Sequence, residues 1–171
     1  YYNGMLDIAT DLTAVASIFG THLEIVEIDE LSRMRLDVPE DEVQRHRESF
    51  SEAFDIQPDC SATELQRAAH TSAALEQFVK SHRLGALAYF YKGSGCEMNE
   101  ETVTSIILGT SLLTSRGIPV AGEYEINNVL AMKILDSFGA GGSFTEYYAT
   151  DFAQDVVLLG HDGPGHAGIA E

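Results

Sequence analysis

Basic residues are scarce in this sequence, which has 10 lysines and arginines against 27 aspartates and glutamates and a net charge of −17. Nucleic-acid binding needs patches of Lys and Arg to meet the phosphates, so we expect no nucleic-acid partner. The same acidity disfavours binding to an anionic membrane surface and is typical of a soluble protein. It also leaves room for a site that attracts cations.

Long apolar runs and cysteines are scarce as well. No run reaches the roughly 18 apolar residues of a membrane-spanning helix, so we expect a protein without membrane segments. The two cysteines, Cys60 and Cys96, lie far apart without CxxC spacing, which predicts free thiols in the reducing cytoplasm. The chain starts without Met or a basic leader and stops abruptly, so we expect a piece of a longer protein.

Helices and strands are predicted to alternate through the first 122 residues. Apolar periodicity and capping signals predict helices over 2–19, 29–36, 39–54, 62–82 and 99–117. Short β-branched or fully apolar runs predict strands over 22–28, 85–91 and 118–121. Alternation of this kind implies parallel strands joined by right-handed crossovers, so we expect a three-layer αβα, Rossmann-like α/β domain.

The pattern changes after residue 122. A further helix is predicted over 125–138, and the glycine-rich run 139–142 ends it. Two strands, 143–152 and 155–159, then follow without a helix between them, which predicts an antiparallel hairpin. We therefore divide the chain into an α/β domain, 1–122, and the start of a β-rich domain, 123–171.

Three features of the second half carry side chains suited to metal binding. Glu123 follows a predicted parallel strand, where ligands bind in open α/β sheets. Glu146 lies in an aromatic strand, and a Gly- and Pro-rich loop carries His161 and His166. Each has an ordinary explanation as a surface carboxylate or a tight turn. Together, two carboxylates and an imidazole suit a divalent ion such as Mn²⁺ or Mg²⁺, and the absence of cysteine disfavours structural zinc.

Three segments of the chain resemble the L-arabinose and L-fucose isomerase superfamily, most closely its arabinose isomerase branch. They are 117–123 (GIPVAGE), 141–146 (GGSFTE) and 157–161 (VLLGH). The resemblance implies a metal-dependent aldose–ketose isomerase that moves a proton through a cis-enediol on a free sugar such as L-arabinose or L-fucose. It also implies that 1–122 is a middle Rossmann-like domain and 123–171 the first part of the catalytic domain.

By the same resemblance, Glu123, Glu146 and His161 would bind Mn²⁺, or another divalent ion such as Mg²⁺ or Co²⁺. Glu123 and Glu146 would also be the catalytic acid–base residues. The family's second histidine would fall beyond the end of this chain, so we expect the chain alone to be inactive. The spacing between the two carboxylates and the loop after His161 depart from the family, which leaves His166 as a rival ligand and Glu125 as a rival to Glu123.

The resemblance further implies a cytoplasmic homo-oligomer, a trimer or hexamer whose sites are completed between subunits. Two other functions remain open. A non-catalytic sugar-binding or regulatory protein could use the same scaffold, because a fold does not fix a function. A metal-dependent hydrolase could use His161, Asp162 and His166, although adjacent residues in a turn, such as the first two, often point apart.

Overall fold

Helices make up most of this computed structural model, which describes residues 9–93 and 95–169. Its helices are α1 (Leu12–Phe19), α2 (Ile28–Leu36), α3 (Glu40–Ala53), α4 (Ala62–His82), α5 (Glu97–Val103), α6 (Ile107–Ser115) and α7 (Ile126–Ser137). Its strands are β1 (Leu87–Ala88), β2 (Val120–Ala121), β3 (Glu146–Asp151) and β4 (Val156–Gly160), and a 3₁₀ turn covers Ala167–Ile169. No helix within the described ranges combines the length and the apolar character needed to cross a membrane.

Capping residues set the ends of the helices. The caps at Ser61 and Gly20 are those that the sequence predicts, but the helix predicted over 2–19 begins only at Leu12, so its prediction is wrong for 9–11. The Ser61 hydroxyl accepts a hydrogen bond from the Glu64 amide at 3.4 Å, which starts α4. The Asp11 carboxylate accepts from two amides of the first turn of α1. Gly20 ends α1 in the left-handed conformation (φ 64°), where a side chain would be strained. Residues 2–8 of the first predicted helix lie outside the described residues.

The core forms around α4, which contacts α2, α3 and α6. On one side of α4, Leu75 is fully buried and packs with Leu31 of α2 and Val120 of β2. On the other side, Val43 and Phe50 of α3 are buried against the alanines of α4. Full burial of one such side chain is worth about 1.5–3 kcal/mol, so these two clusters hold the helices in place.

A parallel strand pair confirms the mixed α/β class. Strand β1 pairs with β2 in the register Leu87 to Val120 and Ala88 to Ala121. The strand predicted over 22–28 is wrong, because 21–27 has no regular secondary structure and α2 already begins at Ile28. In the predicted strand, side chains would alternate between the two faces and Ile25 would lie on the buried one. In the structure Ile25 is instead 81% exposed, and Val26 packs against the core. Within the described residues the parallel sheet therefore has two strands.

The helix predicted over 99–117 is two helices in the structure. Between α5 and α6, the hydroxyls of Thr104 and Ser105 donate to the carbonyls of Glu100 and Glu101, each at 2.7 Å. Such bonds from Ser and Thr to the preceding turn compete with the helical hydrogen bonds and bend the helix. The predicted strands also prove shorter than expected, whereas the helix predicted over 125–138 is confirmed as α7.

The antiparallel hairpin predicted near the end of the chain is confirmed. Strand β3 pairs with β4 from Glu146–Gly160 to Asp151–Val156, and the register shifts at Tyr148. The apolar residues of β4 stay about half exposed, from 51% at Val157 to 58% at Leu158. Both cysteines are free and exposed, as predicted. The proposed boundary after residue 122 stays a prediction.

Candidate metal centre

Glu123 lies in a tight turn directly after β2. The Glu125 amide donates to the Gly122 carbonyl at 3.0 Å, and this bond closes the turn. Glu123 and Tyr124 both have left-handed backbone angles, with φ of 60° and 58°. This backbone conformation is strained for a residue with a Cβ. Such strain persists where the surrounding structure enforces it, commonly at functional sites.

The neighbouring strand β1 holds this turn in place. The Tyr124 amide donates to the Tyr89 carbonyl at 3.0 Å, and the Tyr124 ring stacks on Phe90 with centroids 5.2 Å apart. Burial raises the pKa of Tyr89 to about 12, with the Glu123 charge adding to the effect. The backbone of Glu123 is therefore held close to the end of the parallel pair, the edge at which the sequence places this residue.

Glu146, His161 and Asp162 converge at the open end of the hairpin. Glu146 begins β3 opposite Gly160, the last residue of β4, so the residues after Gly160 lie beside Glu146. One ligand atom from each of the three residues lies within 4.8 Å of the others. Glu146 and His161 are half-buried, whereas Asp162 is exposed. The structure thus brings together two of the three predicted ligands and adds Asp162, which the sequence suggested would point away.

The imidazole of His161 is held in one orientation. Its Nδ1 lies 3.3 Å from the Pro164 carbonyl oxygen, which can only accept, so Nδ1 carries the proton. The buried Phe144 ring meets the imidazole at 85°, with centroids 4.2 Å apart. With the proton on Nδ1, the neutral ring has its lone pair on Nε2, which is the arrangement of a metal-binding histidine.

Glycines let the chain approach this imidazole from two sides. A Cβ at Gly163 would come within 2.4 Å of His161 Cε1, so the loop closes over the ring only because residue 163 is glycine. A Cβ at Gly122 would lie 3.9 Å from His161 Nε2. The Glu123 turn therefore borders His161, although the structure gathers Glu146 and Asp162 more tightly around it.

Tyr148 is a site residue that sequence reasoning missed. It sits at the register shift of β3, and such bulges redirect side chains. Partial burial raises its pKa, and the carboxylates of Asp162, Glu146 and Glu123 raise it further. Gly160, which pairs with Glu146, leaves space for this ring, because a Cβ there would lie 2.8 Å from the Tyr148 ring, and no motif in the sequence marks that contact.

The two rival ligands lie in other surroundings. Nδ1 of His166 accepts a hydrogen bond from the Gly168 amide at 3.1 Å, and its Nε2 packs against Gly141. In the described part of the chain, His166 is not in the group of converging ligand atoms. Glu125 occupies the N-cap position of α7, where a carboxylate is favoured by the helix dipole.

The donor set fits a divalent cation that prefers oxygen and nitrogen. Two carboxylates and one neutral imidazole bring two negative charges to the group, and a half-exposed setting leaves room for further ligands. Mn²⁺ and Mg²⁺ suit such donors, whereas structural zinc sites favour cysteine. Glu123 lies on the adjacent turn and is a further carboxylate near the group.

A second cleft, between α2, α4 and α5, holds none of the predicted site residues. It is lined by Arg35, Arg67 and Glu101 among others. The Arg35 guanidinium donates to Thr71 at 2.8 Å and to Glu101 at 2.7 Å, and it holds the pKa of Glu101 below its usual value. Arg67 pairs with Glu64. These guanidinium groups already have carboxylate partners, and the contacts of Arg35 link α2 to α4 and to α5.

No protein-family model and no curated protein matches this chain. Function must therefore be argued from the geometry and chemistry of the side chains around His161.

Proposed function

We propose that this chain is part of a metal-dependent aldose–ketose isomerase acting on a free sugar such as L-arabinose or L-fucose. The observation that supports it most is the convergence of Glu146, His161 and Asp162 within 4.8 Å, next to the Glu123 turn. The proposal includes a three-layer Rossmann-like domain over 1–122 and a catalytic domain that starts near residue 123. The parallel pair β1–β2 and the hairpin β3–β4 are compatible with that division.

Glu146 and His161 would hold the ion, with Glu123 or Asp162 as a further carboxylate. A bound divalent ion would supply Lewis-acid polarisation of the sugar carbonyl, which would make the proton on C2, the carbon next to that carbonyl, more acidic. Mn²⁺ is the ion we expect, with Mg²⁺ or Co²⁺ as substitutes. The neutral imidazole of His161, fixed by Pro164, is prepared for this role without rearrangement.

Proton transfer would fall to the carboxylates. A carboxylate within hydrogen-bond reach takes the proton from C2 and returns it to C1, and a second acid–base group serves the sugar oxygens. Glu123 and Glu146 are the candidates for these roles. The raised pKa of Tyr148 keeps its hydroxyl protonated at neutral pH, so this hydroxyl is a candidate donor that would orient the Glu146 carboxylate.

The exposed hairpin supports a homo-oligomer, a trimer or hexamer by the resemblance. Residues of β4 such as Leu158 and Leu159 are 58% and 57% exposed. Apolar surface of this kind is commonly covered by another polypeptide segment or subunit. A subunit interface at the hairpin would also bring a neighbouring subunit close to Glu146 and His161.

Metal binding is the first test, measured by Mn²⁺ titration with calorimetry and electron paramagnetic resonance on the 171-residue chain. We expect saturable binding that weakens by at least about 10-fold in Glu146→Gln and His161→Asn. Glu125→Gln is the matched control and should bind as the unchanged chain does. Comparing Glu123→Gln with Asp162→Asn identifies the further carboxylate. Equal binding in all variants would contradict the proposed site.

Ketose formation is the second test, measured on the natural gene product with L-arabinose, L-fucose and D-galactose, with Mn²⁺ and with EDTA. We expect ketose with Mn²⁺ alone, and a loss of about 10²–10⁴-fold in Glu123→Gln or Glu146→Gln. Sugar binding without metal dependence or turnover would support the sugar-binding protein instead. Ester or amide cleavage with tightly held zinc would support the hydrolase, which the placement of Asp162 beside His161 favours.

A further inference from the structure

His82 joins three parts of the chain at the end of α4. Its Nδ1 lies 2.9 Å from Oε1 of Glu24, and its Nε2 lies 2.7 Å from Oε1 of Glu30. Glu30 belongs to α2, whereas Glu24 belongs to residues 21–27, the segment without regular structure that we call the strap. The ring also packs on Phe78, with centroids 4.4 Å apart.

This geometry requires a charged imidazole. Carboxylate oxygens only accept hydrogen bonds, so both ring nitrogens must carry protons to satisfy Glu24 and Glu30 together. The hydrogen bonds from His82 to Glu30 and Glu24 raise the pKa of His82. The position at the C-terminal end of α4 also favours a cation, because the helix dipole is negative there.

Other charged and titratable groups lie near His82 on α4, on α2 and on the strap. On α4, Lys80 pairs with Glu76 at 2.9 Å, and Arg83 follows at the cap position. On α2, Asp29 pairs with Arg33 at 3.7 Å. On the strap, the charge of Glu27 acts on Tyr124, whose pKa is raised by burial and then by Glu27. His22 completes the titratable groups of the strap and is exposed.

We propose that His82 is a pH-sensitive latch, which holds the strap on α4 while the imidazole is charged and releases it when the imidazole loses a proton. The neutral ring has one N–H, so one carboxylate then faces a lone pair and that contact is lost. Glu30 is anchored in a helix, and Glu24 is in an irregular segment. The Glu24 contact is therefore the one that opens.

The latch has a defined direction. A histidine whose pKa is raised by folding contributes its stabilisation fully below its ordinary pKa of 6.5, and loses it as the pH rises through the raised value. The strap is therefore held below pH 6.5 and released once the pH rises above the raised pKa of His82. Since Glu27 of the strap lies near Tyr124, release also changes the surroundings of the turn that carries Glu123.

Limited proteolysis within residues 21–27 by thermolysin tests the latch in the 171-residue chain, from about pH 5.5 to pH 9, with rates corrected for cleavage of an unstructured peptide of the same sequence. We expect the resistance of the strap to cleavage to fall roughly 2- to 10-fold across the imidazole titration, the range expected for one hydrogen bond. Nitrogen chemical shifts of His82 should report the same midpoint. Glu24→Gln should lower that midpoint and flatten the cleavage profile, whereas Glu52→Gln, an exposed residue of α3, should change neither.

His82→Gln is the second variant, and it keeps a polar side chain without a titrating ring. In this variant, cleavage of the strap should be fast and its corrected rate independent of pH, while the core helices α3 and α4 stay as resistant as in the unchanged chain. A strap that stays protected at high pH, or that keeps its pH dependence in His82→Gln, would overturn the latch. A folded chain in which His82 titrates near 6.5 would overturn it as well.

Discussion

Gly163 lies so close to the His161 ring that a Cβ there would come within 2.4 Å of Cε1. We expect Gly163→Ala to turn the imidazole away from Glu146 and to weaken Mn²⁺ binding by about 10-fold or more, comparable to the loss of an orienting partner. Gly165→Ala is the matched control, because its Cβ would lie 3.9 Å from the nearest atom, Ser143 Oγ. Calorimetric titration of both variants measures the difference, and equal affinities would contradict the role of Gly163.

A second residue-scale effect concerns His46, which is 8% exposed and whose buried Nδ1 has no hydrogen-bond partner among the residues that the structure describes. Burial lowers the pKa of His46 despite the neighbouring Glu76. As the pH drops below 6.5, the ordinary pKa of histidine, His46 binds a proton in the unfolded chain before it does so in the folded chain. Protonation therefore favours the unfolded chain, and the free energy of unfolding falls as the pH drops.

Urea unfolding between about pH 7 and pH 5 measures this effect. The free energy of unfolding should fall less steeply with decreasing pH in His46→Gln than in the unchanged chain. His22→Gln, at an exposed position, should keep the slope of the unchanged chain. A steeper fall in His46→Gln would contradict the assignment.

Among the helices, α4 offers the clearest test of a local signal, because its start was predicted from Ser61 and Glu64 alone. Ser61→Ala removes the hydroxyl that accepts the Glu64 amide, and should cost about 0.5–2 kcal/mol. The 3.4 Å length of that bond places the cost toward the lower end. Ser61→Asp restores an acceptor and should recover the loss in thermal unfolding. An alanine variant of unchanged stability would show that other contacts fix the start of α4.

Elements with local signals were predicted well, and elements that need a distant partner were not. The helix start at Ser61 and the hairpin turn are coded within a few neighbouring residues. The segment 22–28, most of which is the strap, has strand composition, but a strand also needs a pairing partner, and the position of this segment is decided by Val26 packing and by the His82 contacts. No pattern within seven residues contains that information.

On the scale of the whole molecule, the net charge of −17 sets the response to salt. Repulsion among the carboxylates opposes the compact state, and salt shortens the screening length from about 30 Å at 0.01 M to about 8 Å at 0.15 M. We therefore expect the thermal midpoint to rise over this range of sodium chloride, measured by circular dichroism. A falling midpoint would mean that the ion pairs outweigh the overall repulsion.

The candidate centre could be predicted from the sequence in part. Glu146 and His161 were identified, and the structure places them together through the pairing of Glu146 with Gly160. Asp162 and Tyr148 were missed as partners, because their directions depend on a loop closed over His161 and on a register shift. Both depend on glycine contacts, which a pattern of apolar and polar residues does not encode.

Glu123 and Tyr124, which both have left-handed backbone angles, are positions at which selection for stability and selection for activity should favour different residues. Strain of about 1–3 kcal/mol per such residue is recoverable by glycine, so Glu123→Gly should raise the melting temperature while removing a proposed catalytic carboxylate. A library selected for heat resistance alone should accumulate glycine or asparagine at these two positions. A library selected for turnover should keep the glutamate at 123. The two outcomes together would show that thermal stability and activity compete at this position.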